Sequence, residues 1–383
     1  MKKVILYLLA ITPLFFGCNT QKAKDTNGTV KNIDASQKVF LITLDGLRWQ
    51  ELFTGADSLL INNTTYTKDT SYLKAKYWKK ESVERRTTLL PFFWNSIAKK
   101  GQLYGNRTYN NKVNVANTHW FSYPGYSEIL CGYADNDRIN SNDKKNNPNQ
   151  TILELTNNLP AYKGKVGAFG SWDVFPYIIN EERSKIYVNA GYKEAIGDNL
   201  TAKENYLNQL QKQAIQPWSS VRQDVFTHNY ALEFIKKEKP KLMYISYGET
   251  DDFAHDGDYT HYLLAAENTD AMIQQLWNYC QSNPFYKGKT TFIITTDHGR
   301  GTEPLESWKS HGQNLTYHGK TYNINGSDET WLAVIGPNVS SKGEVKTEAQ
   351  LYNNQIAATI QDILQIKVLG SKANQKVLPI LER

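Results

Sequence analysis

The sequence has 383 residues, a formal net charge of +6 at pH 7 and a charged fraction of 21%. This length suits one large domain with insertions, or two domains. The basic residues are scattered rather than clustered, which argues against a nucleic-acid-binding surface. With only three cysteines, the chain is not a disulfide scaffold, although Cys131 and Cys280 suffice for one disulfide bond. No feature indicates an obligate protein partner.

The first 17 residues have the features of a signal peptide. Lys2 and Lys3 precede an apolar stretch, residues 4–16, that is too short to span the ~30 Å hydrocarbon core as a permanent helix. Gly17-Cys18 ends this stretch and resembles the lipobox of bacterial lipoproteins, in which the cysteine is acylated. We therefore predict an exported protein of the periplasm or cell envelope, anchored to the membrane by a lipid on Cys18, with a polar, flexible tether over residues 18–36. The alternatives are an ordinary signal peptide with a chance cysteine, or an uncleaved anchor.

Residues 37–383 alternate between short apolar segments typical of buried strands and segments with helical periodicity. The predicted strands are 39–44, 165–169, 242–247, 291–295 and 331–335. The predicted helices are 89–100, 151–158, 221–238, 261–280 and 349–364. This alternation predicts an α/β fold with a mostly parallel central sheet, flanked by helices on both faces. Residues 59–84 indicate an insertion over the sheet, and the Asn/Lys-rich residues 136–149 a surface loop.

Acidic and histidine side chains follow several of these strands. Asp45 comes directly after the first strand, Asp251 and His255 follow the third, and Asp297-His298 follows the fourth. In an open α/β sheet, ligand sites lie at the carboxyl ends of the strands, and residues four apart share one face of a helix. Taken singly, each of these segments has an ordinary explanation as a turn or an acidic surface segment.

One more histidine, His311, lies in a Ser310-His311-Gly312 segment and completes a set of three aspartates and three histidines. Six nitrogen and oxygen ligands are the number that two metal ions need before a nucleophile and water complete their coordination. Imidazole and carboxylate ligands without a thiolate favour zinc over calcium or copper. Two such ions about 4 Å apart are able to bind the attacking and leaving oxygens of an in-line displacement.

The order of these motifs resembles the alkaline phosphatase superfamily, and most closely its nucleotide pyrophosphatase/phosphodiesterase branch. The order is Asp-Gly, a nucleophile, Asp-x-x-x-His, Asp-His-Gly and His-Gly. Members of that branch carry the nucleophile in a Thr-Phe-Pro-Asn-His-like segment, and its counterpart here is Ser122-Tyr123-Pro124-Gly125-Tyr126. The resemblance spans roughly residues 39–337 and implies an alkaline phosphatase-like catalytic domain with cap insertions.

This resemblance also implies two zinc ions per chain, each held by its own set of ligands. One zinc ion is assigned to Asp45, Asp297, His298 and Ser122, and the other to Asp251, His255 and His311. Ser122 would attack phosphorus and form a phosphoserine that water then hydrolyses. The protein would therefore hydrolyse small-molecule phosphate esters, as a phosphodiesterase or a phosphatase.

Other positions bear on the substrate. The family often places an asparagine about twenty residues after the nucleophile to hold a phosphoryl oxygen, and Asn142 is nearest that spacing. Gly125-Tyr126 stands where the family's diesterases carry Asn-His, a departure that bears on the substrate pocket. A monoesterase needs a cation near the phosphoryl group, and the candidates by proximity in sequence are Arg138, Lys144 and Lys145. The resemblance to the diesterase branch favours diesters.

Other readings of the same chain stay open. A sulfatase or phosphonate hydrolase shares the fold, but sulfatases carry Cys/Ser-x-Pro-x-Arg and paired aspartates that bind one calcium. Here Tyr126 replaces the arginine, and Asp45 is followed by Gly46. A phosphoglycerate-mutase-like enzyme shares the site but belongs in the cytoplasm, which the signal peptide argues against. A non-catalytic, lipid-anchored ligand-binding protein is the alternative of another class, although no residue that catalysis needs is missing.

Overall fold

The computed structural model describes residues 22–24, 30–32, 36–317 and 319–381. The predicted signal peptide and Cys18 lie outside these residues. Strands β1 (Lys22–Lys24) and β2 (Val30–Asn32), within the predicted tether, pair antiparallel in a unit of their own, and the main body is the unit Ala35–Arg383. In the part of the chain that the structure describes, no helix is long and apolar enough to cross a membrane. Export and lipidation stay predictions.

The strands of the main body are short, and most have few exposed residues. They are β3 (Lys38–Leu44), β4 (Gln102–Tyr104), β5 (Asn111–Asn114), β6 (Val166–Gly170), β7 (Tyr187–Ala190), β8 (Leu242–Tyr247), β9 (Thr290–Thr295), β10 (Asn314–Tyr317), β11 (Lys320–Asn323), β12 (Glu329–Thr330), β13 (Leu332–Ile335), β14 (Gly343–Glu344) and β15 (Ala349–Tyr352).

The helices lie between these strands. They are α1 (Trp49–Thr54), α2 (Ser58–Asn62), α3 (Thr70–Tyr77), α4 (Ser82–Leu89), α5 (Ala98–Lys100), α6 (Ser122–Cys131), α7 (Ile152–Asn157), α8 (Phe175–Ile178), α9 (Glu181–Ser184), α10 (Ala202–Gln213), α11 (Asp224–Glu238), α12 (Glu249–His255), α13 (Tyr259–Ser282) and α14 (Ile356–Ile363). A π-helical turn, Phe93–Ile97, precedes α5, and 3₁₀ turns cover Arg107–Tyr109, Leu305–Lys309 and Asn353–Gln355.

The central sheet has eight strands in the order β14-β4-β13-β9-β3-β8-β6-β7. The five strands from β9 to β7 run parallel, and β13 pairs antiparallel with both β9 and β4. Every residue of β3 is buried, so both faces of the sheet are covered here, since alternate side chains point to opposite faces of a strand. Helix α14 contacts β3, and α11 contacts β6 and β8. The predicted α/β fold with a mostly parallel sheet is confirmed.

Two predicted helices differ from the structure. Residues 349–352 form strand β15, which pairs in parallel with β5, and the last helix begins only at Ile356. The apolar residues of the predicted helix 349–364 have nearly helical spacing. However, the backbone of its first four residues pairs with β5 and is therefore extended. Residues 89–100, predicted as one helix, are divided in the structure. Helix α4 ends at Leu89, and the chain continues as a π-helical turn and then as α5. Cys131 and Cys280 are both buried free thiols, so they do not pair.

The turn that follows α4 is anchored to α13 by a buried carboxylate. Asp270 on α13 accepts hydrogen bonds from the backbone N–H groups of Phe92 (2.8 Å) and Phe93 (3.0 Å). These groups start a new helical turn after Pro91, where they lack intrahelical partners. Burial raises the pKa of Asp270 to about 7, although both hydrogen bonds oppose this shift.

We expect Asp270→Ala to lower the free energy of unfolding by about 2 kcal/mol, because two buried N–H groups lose their acceptor. Urea denaturation measures this change. Asp198→Ala, at an exposed position, is the control and should leave the unfolding free energy unchanged. A stability of Asp270→Ala equal to that of the control would contradict the proposed anchoring.

Candidate metal centre

Three adjacent strands bring the predicted ligands to one edge of the sheet. Asp45 directly follows β3, the helix α12 that carries Asp251 and His255 follows β8, and Asp297 and His298 follow β9. Because β9, β3 and β8 are parallel neighbours, their carboxyl ends lie side by side, where α/β folds bind ligands.

The first group of ligand atoms surrounds the imidazole of His298. Its Nε2 lies 3.3 Å from Asp45 Oδ1, 3.4 Å from Asp297 Oδ2 and 3.3 Å from Ser122 Oγ. Its Nδ1 lies 2.9 Å from the carbonyl oxygen of Gly299. A carbonyl only accepts hydrogen bonds, so in neutral imidazole Nδ1 carries the hydrogen and Nε2 keeps its lone pair. Asp45, Asp297 and His298 are called the first metal position below.

The two carboxylates of the first metal position each have one unsatisfied oxygen. Asp45 Oδ2 accepts a hydrogen bond from the Tyr126 hydroxyl (2.8 Å), and Asp297 Oδ1 accepts one from the N–H of Gly46 (3.2 Å). The other oxygens, Asp45 Oδ1 and Asp297 Oδ2, are buried without a hydrogen-bond partner. An unpaired buried charge is costly, and a cation at this point would satisfy both oxygens. These residues therefore fit a metal ion.

The second group adjoins the first. His255 Nε2 lies 3.1 Å from both Asp251 Oδ2 and His311 Nε2, and His311 Nε2 lies 3.8 Å from Asp251 Oδ1. Asp251 Oδ1 is also 3.9 Å from His298 Nε2, so the two groups are neighbours. Asp251, His255 and His311 are called the second metal position below. The His255 side chain is 44% exposed, which opens this position to solvent.

The protonation behaviour of these groups indicates a site built for positive charge. Burial, and then the negative charge of Asp45, raise the pKa of Asp297 well above its usual range. Burial disfavours the imidazolium of His298, but the Asp297 and Asp45 carboxylates raise its pKa to about 9. Burial, and then the nearby His298, lower the pKa of His311 well below its ordinary value, which favours its neutral imidazole. Crowded carboxylates thus require a cation or protons among them.

Ser122 lies at the first metal position, as the first residue of helix α6. The Asn142 side chain is adjacent, because its Oδ1 accepts a hydrogen bond from the N–H of Tyr123 at 3.0 Å. The structure thus brings all seven predicted metal-site residues and Asn142 into one region. The roles assigned to them stay predictions.

The structure explains why Gly125-Tyr126 stands where the diesterases of the resembled family carry Asn-His. A Cβ atom at Gly125 would lie 2.3 Å from the Asp297 carbonyl oxygen, so α6 packs with its backbone directly on the metal-site loop. Tyr126 orients Asp45 through its hydroxyl group. Sequence analysis assigned no role to Tyr126, and the only signal was its place in the nucleophile motif.

Sequence analysis also missed Arg300, although it lies two residues after His298. This arginine is buried, and its Nη1 contacts Asp251 Oδ1. Burial alone would raise the pKa of Asp251, but His255 and the Arg300 guanidinium hold it well below its usual range.

Comparisons with known proteins agree with this architecture. Residues 197–367 match the family model described as Metalloenzyme superfamily, whereas no sequence among curated proteins matches the chain. Alkaline phosphatase PafA is similar in structure with a TM-score of 0.59 at 10% identity, over 90% of this chain and 99% of that chain. Murine ectonucleotide pyrophosphatase/phosphodiesterase 5 gives 0.53 at 13% identity, over 88% and 98%. The lipoteichoic acid synthase LtaP from Listeria monocytogenes gives 0.55 at 10% identity, over 92% and 78%.

These likenesses establish the fold, and the family match covers the loops after β8 and β9. The chain thus has the alkaline phosphatase-like fold, and the segment that carries Asp251, His255, Asp297, His298 and His311 matches the Metalloenzyme superfamily.

Proposed function

We propose that the protein is an exported, zinc-dependent hydrolase of phosphate esters, with Ser122 as its nucleophile and diesters as its preferred substrates. The observation that carries this proposal is the convergence of a serine hydroxyl and six metal-type ligands, in two adjoining positions, at one edge of the sheet. The predicted signal peptide and the lipid on Cys18 would hold the enzyme at the cell envelope, facing small-molecule esters.

The donor set supports zinc at both positions. Each position combines imidazole nitrogen with carboxylate oxygen. Cys131 lies at the opposite end of α6 from Ser122, and Cys280 lies in α13. Calcium prefers six or more oxygen ligands, whereas each position includes at least one imidazole nitrogen. When bound, zinc would lower the pKa of the Ser122 hydroxyl and stabilise the negative charge of the reacting oxygens.

The chain's own residues account for the remaining requirements of the reaction. Ser122 Oγ, having lost its proton to solvent, attacks phosphorus, and the bond from phosphorus to the leaving alkoxide breaks in line with this attack. With a diester, the intermediate is a serine-linked phosphodiester that keeps the second ester group, and water then cleaves the bond from Ser122 Oγ to phosphorus and releases a phosphomonoester. Asn142 uses Oδ1 to accept the Tyr123 N–H, so its Nδ2 remains to donate to a phosphoryl oxygen. That bond would hold the phosphorus beside the nucleophile.

The basic side chains near the nucleophile support diesters over monoesters. Lys144 pairs with Asp173 at 2.6 Å and Lys145 with Asp143 at 2.7 Å. Arg138 pairs with Asp135 in the same way. Each candidate cation is thus engaged by a carboxylate, whereas a monoester needs a cation for its additional charge. A diester, which carries one negative charge fewer, has no such requirement.

We expect Ser122→Ala to retain zinc but to lose turnover by roughly a thousandfold or more, because no hydroxyl remains to attack phosphorus. Steady-state kinetics with bis(p-nitrophenyl) phosphate and metal analysis measure both quantities. Ser127→Ala, which removes a hydroxyl from the same helix, is the control and should retain activity. Wild-type turnover in Ser122→Ala would show that another group is the nucleophile.

We expect His311→Ala to reduce the zinc content from two ions per chain toward one, because the second metal position would keep only two ligands. Elemental analysis of dialysed protein measures this ratio. His261→Ala is the matched control, since His261 pairs with Asp258 outside the metal centre and should keep both ions. An unchanged zinc content in His311→Ala would remove this residue from the site.

A panel of p-nitrophenyl esters tests the substrate class. We expect the zinc-loaded enzyme to hydrolyse the phosphodiester faster than the phosphate monoester and to leave the sulfate ester intact. A chelator should abolish hydrolysis, and added zinc should restore it. Sulfate-ester hydrolysis supported by a single calcium ion would favour the sulfatase reading, and bound metal without any hydrolysis would favour a binding protein.

A further inference from the structure

Arg300 is a fixed positive charge beside the second metal position. It is 1% exposed, and it donates from Nε to the Trp308 carbonyl at 2.7 Å and from Nη2 to the Lys309 carbonyl at 2.6 Å. Its remaining nitrogen, Nη1, contacts Asp251 Oδ1. Three separate contacts therefore hold the guanidinium in one orientation, with its charge directed at a predicted metal ligand.

The turn after β3 is shaped around this ion pair. Gly46 has φ +57°, and a Cβ atom there would lie 2.7 Å from Arg300 Nη1 and 2.7 Å from Asp251 Oδ1. Any other residue would clash with the pair and would be strained in this backbone conformation. The Asp45-Gly46 motif thus provides a ligand for one metal position and space for the ion pair at the other.

The two positions consequently differ in the charge that they offer a cation. The first metal position has two carboxylates, and within residues 36–317 and 319–381 neither pairs with a lysine or arginine. The second metal position has one carboxylate, whose charge Arg300 offsets. At a separation of a few ångströms inside a protein, a charge difference of this size changes cation affinity strongly.

We propose that Arg300 makes the two metal positions unequal, so that the first position binds its divalent ion tightly and the second binds its ion weakly and exchangeably. The inference rests on the proposed function only in requiring two metal ions. The exposed side chain of His255 gives the second ion a path to solvent. Catalytic activity then depends on the concentration of free metal ion, because that concentration determines how fully the second position is occupied.

The ligands of the second metal position have supports other than Arg300. The N–H of Gly301 donates to the Ser310 carbonyl at 3.1 Å, and the N–H of Gly312 donates to the Trp120 carbonyl at 2.9 Å, on either side of His311. The buried Asp224 carboxylate accepts the N–H of Gly248 at 2.7 Å, at the start of α12. These contacts remain when Arg300 is replaced, whereas the Trp308 and Lys309 carbonyls each lose a donor.

The test is a titration of metal-free protein with Zn²⁺ at fixed pH, by calorimetry or competition with a chromophoric chelator. We expect two binding steps in the wild type that differ by about tenfold or more, and loss of the weaker step in His255→Ala. Arg300→Met should tighten the weaker step by about tenfold or more, whereas Arg300→Lys, which keeps the charge, should not. Arg86→Met breaks the Arg86–Glu344 pair (2.9 Å) in another part of the fold and should leave both steps unchanged.

Equal steps in the wild type, loss of the tighter step in His255→Ala, or an unchanged or weakened second step in Arg300→Met would each overturn the inference. If Arg300→Met does not fold, the wild-type and His255→Ala titrations still overturn the inference where the two steps are equal or where His255→Ala loses the tighter step. Binding of no zinc at all would contradict the proposed function as well. Two equal steps would contradict only the inequality of the positions.

Discussion

The structure of this site depends on the repulsion among carboxylates that three adjacent strands bring to one buried edge. Asp45 and Asp297 each direct an unsatisfied oxygen at the Nε2 of His298, and the nearby charge of Asp251 adds to the repulsion. A sheet edge of this kind is stable only with positive charge among the carboxylates. The protein supplies one positive charge itself, through Arg300, and leaves the rest to protons or metal ions.

The sequence was sufficient for the parts of the fold that depend on local pattern. Strands β3, β6, β8 and β9 lie within one residue of their predicted bounds, because each is buried on both faces and is therefore rich in apolar and β-branched residues. Strand β15 was not predictable in this way. Its identity depends on pairing with β5, more than 200 residues earlier, and its own residues fit a helix equally well. Long-range pairing decides such short segments, and local propensity does not.

The candidate site was predictable to the extent that its residues carry a recognisable order along the chain. The aspartates, histidines and Ser122 could be named because few other residue types bind metal ions or act as nucleophiles. Arg300 and Tyr126 could not be assigned roles, because arginine and tyrosine occur in many structural settings. Their contacts with Asp251 and Asp45 appear only once the chain is folded. A sequence pattern identifies the atoms that bind a metal more readily than the groups that orient and neutralise them.

The unequal charges of the two positions also suit the chemistry proposed for them. A metal ion surrounded by two carboxylates is held firmly, but those carboxylates cancel much of the charge that it offers a substrate. A metal ion held by two imidazoles and an aspartate already paired with Arg300 keeps more of its charge for a developing alkoxide. Firm binding suits the position of Ser122, which must keep its nucleophile aligned through each turnover. Greater residual charge suits the neighbouring position, where a leaving oxygen would gain negative charge, and weaker retention of the ion is the physical consequence.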